Sequence, residues 1–575
     1  MNLSTDEINK NISSMAEAMK SSGAQCLYVP SFDQYISEYV PLWNNLRYYV
    51  TGFTGSTADV LIIEDKAHLF VDSRYHLQAD EEISSDKVVV HKSKGRIFHE
   101  LLDLAKQKGV SDFGVIPERT PIGHCNELDQ KFENFKLVNV NESKCSEQIN
   151  FQLKSSFPEV FEIDAKVLGQ SVSQRLKRCN LKDGEALFLS AIDDVAWLTN
   201  LRGYHLSFLS SFLSKAIVTK TAIHLLTPQN IKFAKHDSLI SVHHYSDNIS
   251  EILPNIVAAN SINKITYDKS FSTLNDKEVL KKTSVDLVEG SGLTFIKNIK
   301  LSVEIPEYER IFNLGDQAIF DTINWCKSKV KQNQKVSELD LYHQTTKSYQ
   351  KYGSGEQSFN TISGAGENGA IVHYGDPKSD RLISKDDLVL LDSGGYFESG
   401  LATDTTRTFL ADSSSTNHCL FEEYKKAYSL VVRAQIQAES AVFKAGTQGR
   451  EIAMLSRQVL YKQGLDFGHG IGHGVGVHVH EPGVRISQAS DLPLNPGMIV
   501  SIEPGLYFAN KFGIRHENIV VVEKHPKFDG FLRFRSLVFI GLEEPLLDFS
   551  SFSAEEKKYY DTYKQECLKR SRVFT

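Results

Sequence analysis

The stretch "HGIGHGVGVHVHEPG", residues 469–483, sets four histidines, His469, His473, His478 and His480, among five glycines. A helical metal site would need a turn of helix between His469 and His473. Gly470 and Gly472 lie in that interval, and each glycine in a helix interior costs about 1 kcal/mol relative to alanine. The run therefore predicts turn and strand. Alternate residues of a strand share a face, so His478 and His480 are expected to project together, with a bend after His473. Such a path does not bring four rings onto one ion. One histidine ligand with neighbours in other roles is the better reading.

Further ligands must come from elsewhere, and four carboxylates stand in similar settings. Asp392 ends the apolar run "LVLLD", Asp404 lies in "LATDTTRTF", Glu503 follows "MIVSI", and Glu517 sits in "GIRHENIVVV". A lone ionised carboxylate beside a buried strand must be paired, hydrogen-bonded or bound to metal. Backbone amides would satisfy any one of them; four beside a glycine-rich histidine run point to a shared cation site. An oxygen-rich set with one imidazole suits a hard divalent ion such as Mn²⁺, with Zn²⁺ or Co²⁺ as alternatives. Four negative charges roughly balance two dications.

Outward from this core, "EYERIFNLGDQAIFDTINWCKSKV" and "VSELDLYHQTTKSYQKYG" have helical periodicity, and glycine-punctuated strands follow Gly353. One long helix, "FEEYKKAYSLVVRAQIQAESAVF", interrupts the strands, and a last helix is expected at "FSAEEKKYYDTYKQECLKR". At the N-terminus, Ser4 and Glu7 have capping-box spacing, followed by Ile8, Ile12, Met15 and Met19 at helical intervals. "CLYVP" then reads as a buried strand. The order recurs in "VSQRLKRC" and "EALFLSAIDDVAWLTNLRG", whose echo of "LYVPSFDQYI" and "LRYYVTGF" predicts two related α/β domains.

The 575 residues suggest three or four domains at one per ~150 residues. A net charge of −8 makes no electrostatic case for nucleic acid or an anionic membrane. The start lacks the pattern of a secretory signal, and no apolar run is long enough to span a bilayer. Seven cysteines without C-x-x-C spacing predict reduced thiols and a cytoplasmic setting. His236, His243 and His244 have no acidic partner at ligand spacing and read as ordinary surface.

The segments "AIVHYGD", "DSGGYFESGLATDTTRT", "GHGIGHGVGVHVHE", "SIEPGLYF" and "GIRHEN", in this order, resemble the M24 metallopeptidases, which share the pita-bread fold. The likeness is closer to the family's long, three-domain Xaa-Pro aminopeptidases. "YVTGFTGSTADVLI" and "FVDSRYHLQA" resemble their first creatinase-type domain, and "DDVAWLTNLRG" the second. The resemblance implies an α/β (α+β) architecture: creatinase-type domains over residues 1–155 and 156–304, then a pita-bread catalytic domain over 305–575 with an extension from about residue 531.

It also implies two metal ions: one on Asp392, the other on His473 and Glu503, with Asp404 and Glu517 bridging. The reaction implied is hydrolysis of the bond between a peptide's first residue and a proline at position two, by a hydroxide that the two metals activate. Glu503 would shuttle the proton, His373 and His480 would stabilise the oxyanion, and His469 would line the proline pocket. His478 would point away. Arg515, read as sharing a strand face with Glu517, would orient a metal-bound carboxylate. A simpler reading, a buried ring held by a carbonyl, competes for His373, His469 and His480.

The partners implied are such peptides and a second copy of the chain in a homodimer, with no nucleic acid or membrane. One departure is the spacing from Asp392 to Asp404, twelve positions, one more than the resemblance leads us to expect; the hairpin "YFESGLA" would absorb it. Among relatives on this fold, prolidase is the nearest competing activity. Methionine aminopeptidase lacks the extra N-terminal domains, and creatinase needs no metal. A non-catalytic binding protein is the alternative of a different class.

Overall fold

The capping box forms as its spacing predicts. In the computed structural model, which describes residues 3–132, 135–146, 149, 156–246 and 248–574, Ser4 Oγ accepts from Glu7 N and the Glu7 carboxylate accepts from Ser4 N. Helix α1 (Thr5–Ser21) buries Ile8, Ile12, Met15 and Met19 on one face. That face packs on a sheet of β1 (Cys26–Val29), β2 (Asp59–Ile63), β3 (Lys66–Val71), β4 (Val88–Lys92), β5 (Asp112–Val115) and β6 (Lys136–Asn139), ordered β4-β3-β2-β1-β5-β6. β2 runs antiparallel to both β1 and β3; the other pairings are parallel.

The second sheet repeats the first. Its strands are β7 (Glu185–Leu189), β8 (Lys215–Val218), β9 (Ile223–Pro228), β10 (Ile240–Tyr245), β11 (Lys264–Tyr267) and β12 (Asp286–Glu289), ordered β10-β9-β8-β7-β11-β12 with the same directions at every pairing. The likeness reaches single residues. Helices Leu46–Thr51 and Ile192–Thr199 each end on a threonine whose hydroxyl donates back to the carbonyl four residues earlier and accepts from the amide two residues later. The two repeats also meet reciprocally: Ile122 N donates to Ser272 O, and Leu274 N to Thr120 O, around the Pro121–Thr273 bridge. The predicted duplication is thus visible in topology and in contacts.

His243, half-buried on the edge strand β10, has its Nε2 3.1 Å from His224 Nδ1. In the first repeat, His91 Nε2 lies 3.0 Å from His68 Nδ1, across the corresponding strands. The register hid this, because each pair joins diagonal neighbours on adjacent parallel strands.

By compactness the chain divides into Met1–Asp164 with Ser171–Leu293, and Ala165–Gln170 with Thr294–Thr575. Both repeated sheets belong to the first unit. Residue 155, at the expected first boundary, lies outside the described residues.

The second unit contains helices Ile305–Lys331 and Glu338–Lys351, as the periodicity predicts. Three antiparallel strands follow, β13 (Ile362–Ala365), β14 (Leu388–Ser393) and β15 (Thr405–Leu410). The larger sheet comprises β16 (Val442–Lys444), β17 (Gly472–Gly474), β18 (Glu481–Ile486), β19 (Ile499–Ile502), β22 (Asn518–Lys524) and β23 (Phe531–Ser536), ordered β16-β23-β22-β19-β17-β18. A separate hairpin pairs β20 (Gly505–Phe508) with β21 (Phe512–Arg515). Helix Phe421–Glu439 packs on this β-structure beside Gly449–Tyr461, a second helix the sequence reading left out. The terminal helix, Ala554–Lys569, forms as expected. Among the described residues no helix is long and apolar enough to cross a membrane, and the cysteines are free thiols.

Ile12 is fully buried between α1 and the first sheet. Ile12→Ala is expected to destabilise the N-terminal unit by about 2–5 kcal/mol, from lost apolar contact plus the cavity left behind. Urea unfolding followed by fluorescence would check this; a loss under about 1 kcal/mol would mean that the helix does not pack as described.

Candidate metal centre

All four carboxylates sit where strands end. Asp392 is the penultimate residue of β14, opposite Thr406 of β15, and Asp404 immediately precedes β15. Between them the hairpin is cross-tied: Gly395 N donates to Thr403 Oγ1 at 2.9 Å, and Thr403 N to Gly395 O at 3.1 Å. A side chain at Gly394 would put its Cβ 1.8 Å from Thr403 O, so this close approach requires glycine. With twelve positions from Asp392 to Asp404, Asp404 lies 3.4 Å from His473 Nε2. Glu503 follows β19 directly. Glu517 lies between β21 and β22, where the chain passes from the hairpin to the larger sheet.

Three of these ends, at Asp404, Glu503 and Glu517, converge on His473, in β17. Its Nε2 lies 3.4 Å from Asp404 Oδ2, 3.4 Å from Glu503 Oε1 and 4.0 Å from Glu517 Oε1. Nδ1 faces the Gly474 carbonyl at 3.0 Å, which leaves Nε2 for the carboxylates. His473 N donates to Ser501 Oγ, and that hydroxyl donates to Glu503 Oε1 at 3.2 Å. Thr406 Oγ1 donates to Glu517 Oε2 at 2.9 Å. Arg515 Nη2 donates to Asp392 Oδ2 at 2.7 Å.

The cluster carries more negative charge than its hydrogen bonds satisfy. Asp392 Oδ1 and Glu517 Oε1 are buried with no hydrogen-bond partner among the described residues. Burial, then the charges of Asp392 and Glu503, push the Asp404 carboxyl well above the usual carboxylate range. Burial, then Asp404, Glu503 and Asp392, does the same to Glu517. Asp404, His473 and Glu517 each offer one ligand atom, all within 4.8 Å of one another. Oxygen donors, one imidazole nitrogen and unmet negative charge fit a hard divalent cation.

The surrounding residues are arranged differently from the sequence reading in two respects. Arg515 and Glu517 do not share a strand face, because β21 ends at Arg515 and the chain changes sheets at His516 and Glu517. The carboxylate that Arg515 holds is Asp392, while its other nitrogens donate to Tyr507 OH at 2.8 Å, Val372 O at 3.3 Å and Thr406 Oγ1 at 3.2 Å. Second, residues 475–480 form a bend and not a strand, so alternation does not govern His478 and His480. A register shift at His473 and Gly474 starts this bend.

The His480 ring stands 4.3 Å from that of His473, nearly perpendicular to it. His469 has both nitrogens engaged: Nε2 lies 2.9 Å from Tyr507 OH and Nδ1 2.6 Å from Gly470 O. The carbonyl half of the simpler reading is therefore right for His469. His373 is half-buried in the turn whose preceding carbonyl, Val372 O, accepts from Arg515. That turn is fixed by buried Glu338, which accepts from Tyr374 OH at 2.6 Å and Ala365 N at 2.8 Å. The sequence reading missed Tyr507, Thr406 and Ser501. Their signal was adjacency, since each lies within four residues of a named carboxylate or in a quoted motif.

Because folding raises the Asp404 and Glu517 carboxyls, the cost of ionising them is absent below the ordinary carboxylate range. It grows as pH rises through their folded values, so the metal-free site loses stability across that window. Metal-free Asp404→Asn is therefore expected to melt higher than metal-free wild type, with the gap widening by several degrees from about pH 5 to about pH 8. A gap that does not change with pH would show that the cluster is not strained by its own charge.

Comparison with known proteins agrees with this architecture. Residues 309–524 match metallopeptidase family M24; residues 12–145 and 154–304 each match a creatinase/prolidase N-terminal domain. A "Probable Xaa-Pro aminopeptidase P" of Laccaria bicolor is 30% identical over 98% of this chain and 90% of its own length. Its counterpart in Coprinopsis cinerea is 30% identical over 98% and 95%. Among solved structures, an X-prolyl aminopeptidase from Caenorhabditis elegans, described as a cytosolic enzyme with a di-nuclear active site, superposes with a TM-score of 0.88. It covers 99% of this chain and 96% of its own at 23% identity, which supports the fold. With two creatinase-type N-terminal domains followed by a pita-bread catalytic domain, the chain belongs to metallopeptidase family M24.

Proposed function

We propose that the protein is an Xaa-Pro aminopeptidase that removes the first residue of peptides with proline at position two. The observation that carries this reading is the convergence of Asp404, Glu503 and Glu517 on His473 Nε2, beside an Asp392 locked by Arg515. Asp392, Asp404, His473, Glu503 and Glu517 would hold two divalent ions, Mn²⁺ by the hardness of the donors. When bound, a metal pair acidifies a water and polarises the scissile carbonyl.

The chain's own residues supply the rest. Glu503 is the most exposed of the four carboxylates, at 19% against 11% for Asp392, 6% for Asp404 and 2% for Glu517. That exposure supports assigning it the transfer of a proton from the attacking water to the departing nitrogen. That nitrogen belongs to a tertiary amide without N–H, so recognition rests on ring shape and neighbouring carbonyls. His480, beside His473, and His373 are assigned to stabilising the developing oxyanion. His469, held by Tyr507, is assigned to the proline pocket. Arg515 sets the orientation of Asp392.

The three matched segments support domain boundaries near residues 155 and 304. A cytoplasmic enzyme fits the free thiols and the absence, among the described residues, of a membrane-spanning helix. A homodimer is the assembly proposed by family resemblance.

Metal-stripped protein, with and without Mn²⁺, is to be incubated with Arg-Pro-Pro-Gly, Arg-Ala-Pro-Gly and the dipeptide Arg-Pro. Mass spectrometry should show Mn²⁺-dependent release of arginine from the first and not the second. Cleavage of Arg-Pro alone would identify a prolidase, and no cleavage despite bound metal would favour a binding protein. Glu517→Ala and Asp404→Ala should each lose metal and activity together. We expect a loss greater than the roughly 10–100-fold typical of groups that only orient a ligand. Full activity in either variant would refute the ligand assignment.

A further inference from the structure

Glu517 reaches the metal centre from a stretch of chain that belongs to no strand, so its backbone must be fixed from outside. Arg407 does this. Its guanidinium is 1% exposed, and Nη1 donates to Glu517 O at 2.6 Å and to Thr406 O at 2.8 Å. Thr406 O also accepts from Glu517 N, at 3.2 Å, so one carbonyl of β15 and one arginine hold both sides of that residue. Nη2 donates to Asn518 Oδ1 at 2.7 Å, Ile540 O at 3.2 Å and Tyr563 OH at 2.8 Å. Tyr563 lies in the terminal helix, Ala554–Lys569, far along the chain from every residue of the cluster.

That helix makes a second contact through the same region. Tyr559, one turn before Tyr563, donates from its hydroxyl to buried Glu439 Oε2 at 2.7 Å. The same oxygen accepts from Asn518 Nδ2 at 3.3 Å, and Asn518 directly follows Glu517. Residues four apart on a helix project from one face. Two tyrosine hydroxyls on one face thus reach the groups around Glu517, Tyr563 by accepting from Arg407 and Tyr559 through Glu439, which in turn accepts from Asn518. The fork geometry explains the choice of arginine: a planar guanidinium presents donors on separate nitrogens in one rigid plane, whereas an ammonium carries its three on a single rotating nitrogen. Tyr563 OH itself donates to Ile540 O at 2.9 Å and accepts from Ile540 N at 3.1 Å, so the hydroxyl is held on the protein side as well.

We propose that the C-terminal helix is a positioning element of the metal centre, holding Glu517 through Tyr563 and Arg407. The inference rests on the metal-centre reading above and assigns Tyr563, Tyr559 and Arg407 no contact with substrate. Their effect is on how firmly Glu517 keeps its carboxylate aimed at the metals. Removing the Tyr563 hydroxyl takes one of three acceptors from Arg407 Nη2, leaving Asn518 Oδ1 and Ile540 O, and so weakens the hold on the Glu517 carbonyl while the apolar packing of the helix stays.

The test uses the full chain carrying Tyr563→Phe, with Tyr559→Phe as a second variant acting on the other contact. Metal-free protein is titrated with Mn²⁺ by calorimetry, and its melting temperature is measured in parallel. Tyr563→Phe is expected to weaken Mn²⁺ binding by about 10- to 100-fold, the range for groups that orient a ligand. KM should be unchanged, and kcat should recover at saturating Mn²⁺. Tyr559→Phe should weaken binding in the same direction, and so should Arg407→Lys, whose single nitrogen cannot hold Glu517 O and Asn518 Oδ1 as the two arms of the guanidinium do. A lowered melting temperature with unchanged Mn²⁺ affinity in both tyrosine variants would reduce the helix to packing and overturn the inference alone. Wild-type protein that binds no Mn²⁺ would overturn the metal centre and this inference with it.

Discussion

Burying several carboxylates around one imidazole is costly, because each like charge raises the price of the next and apolar strands exclude the water that would screen them. Asp404 and Glu517 show that cost directly: burial and their neighbours' charges drive both far above the carboxylate range. Arg515 offsets one charge at Asp392, and Thr406 gives Glu517 a single hydrogen bond. A cation or a proton has to meet what remains. Much of the local architecture answers to that requirement. Strands end at the carboxylates, the hairpin after Asp392 is tied tightly through Gly394 and Gly395, and the backbone of Glu517 is clamped between Thr406 and Arg407.

The ligand-type residues were legible in the sequence because their chemistry is conspicuous. Carboxylates at the ends of apolar runs, and a histidine run too rich in glycine for a helix, admit few other readings. What surrounds them was less legible. The pairing of Arg515 with Asp392 depends on a change of sheet at His516, which periodicity does not reveal. The bend at 475–480 follows from a register shift at His473, again a tertiary feature. Tyr507 meets Arg515 across the β20–β21 hairpin that carries both, and His469 from elsewhere in the chain, contacts that spacing does not reveal. The helix at Gly449–Tyr461 was passed over because its apolar positions are spaced among charged ones and it opens on glycine.

The N-terminal repeats teach a related lesson. Their kinship was legible as a faint echo in the sequence, and becomes plain in the shared strand order, the matched threonine caps and the reciprocal bridge at Pro121 and Thr273. The diagonal histidine pairs, His68 with His91 and His224 with His243, recur at corresponding places and were invisible as spacings, since they depend on the register of two parallel strands.

The most direct test of the central claim, that Asp392, Asp404, His473, Glu503 and Glu517 hold two metal ions, is an anomalous difference map from crystals grown with Mn²⁺. Two peaks about 3.5–4 Å apart, among these five side chains and with one within bonding distance of His473 Nε2, are the predicted result. No peak at His473, or a single peak elsewhere in the chain, would contradict it.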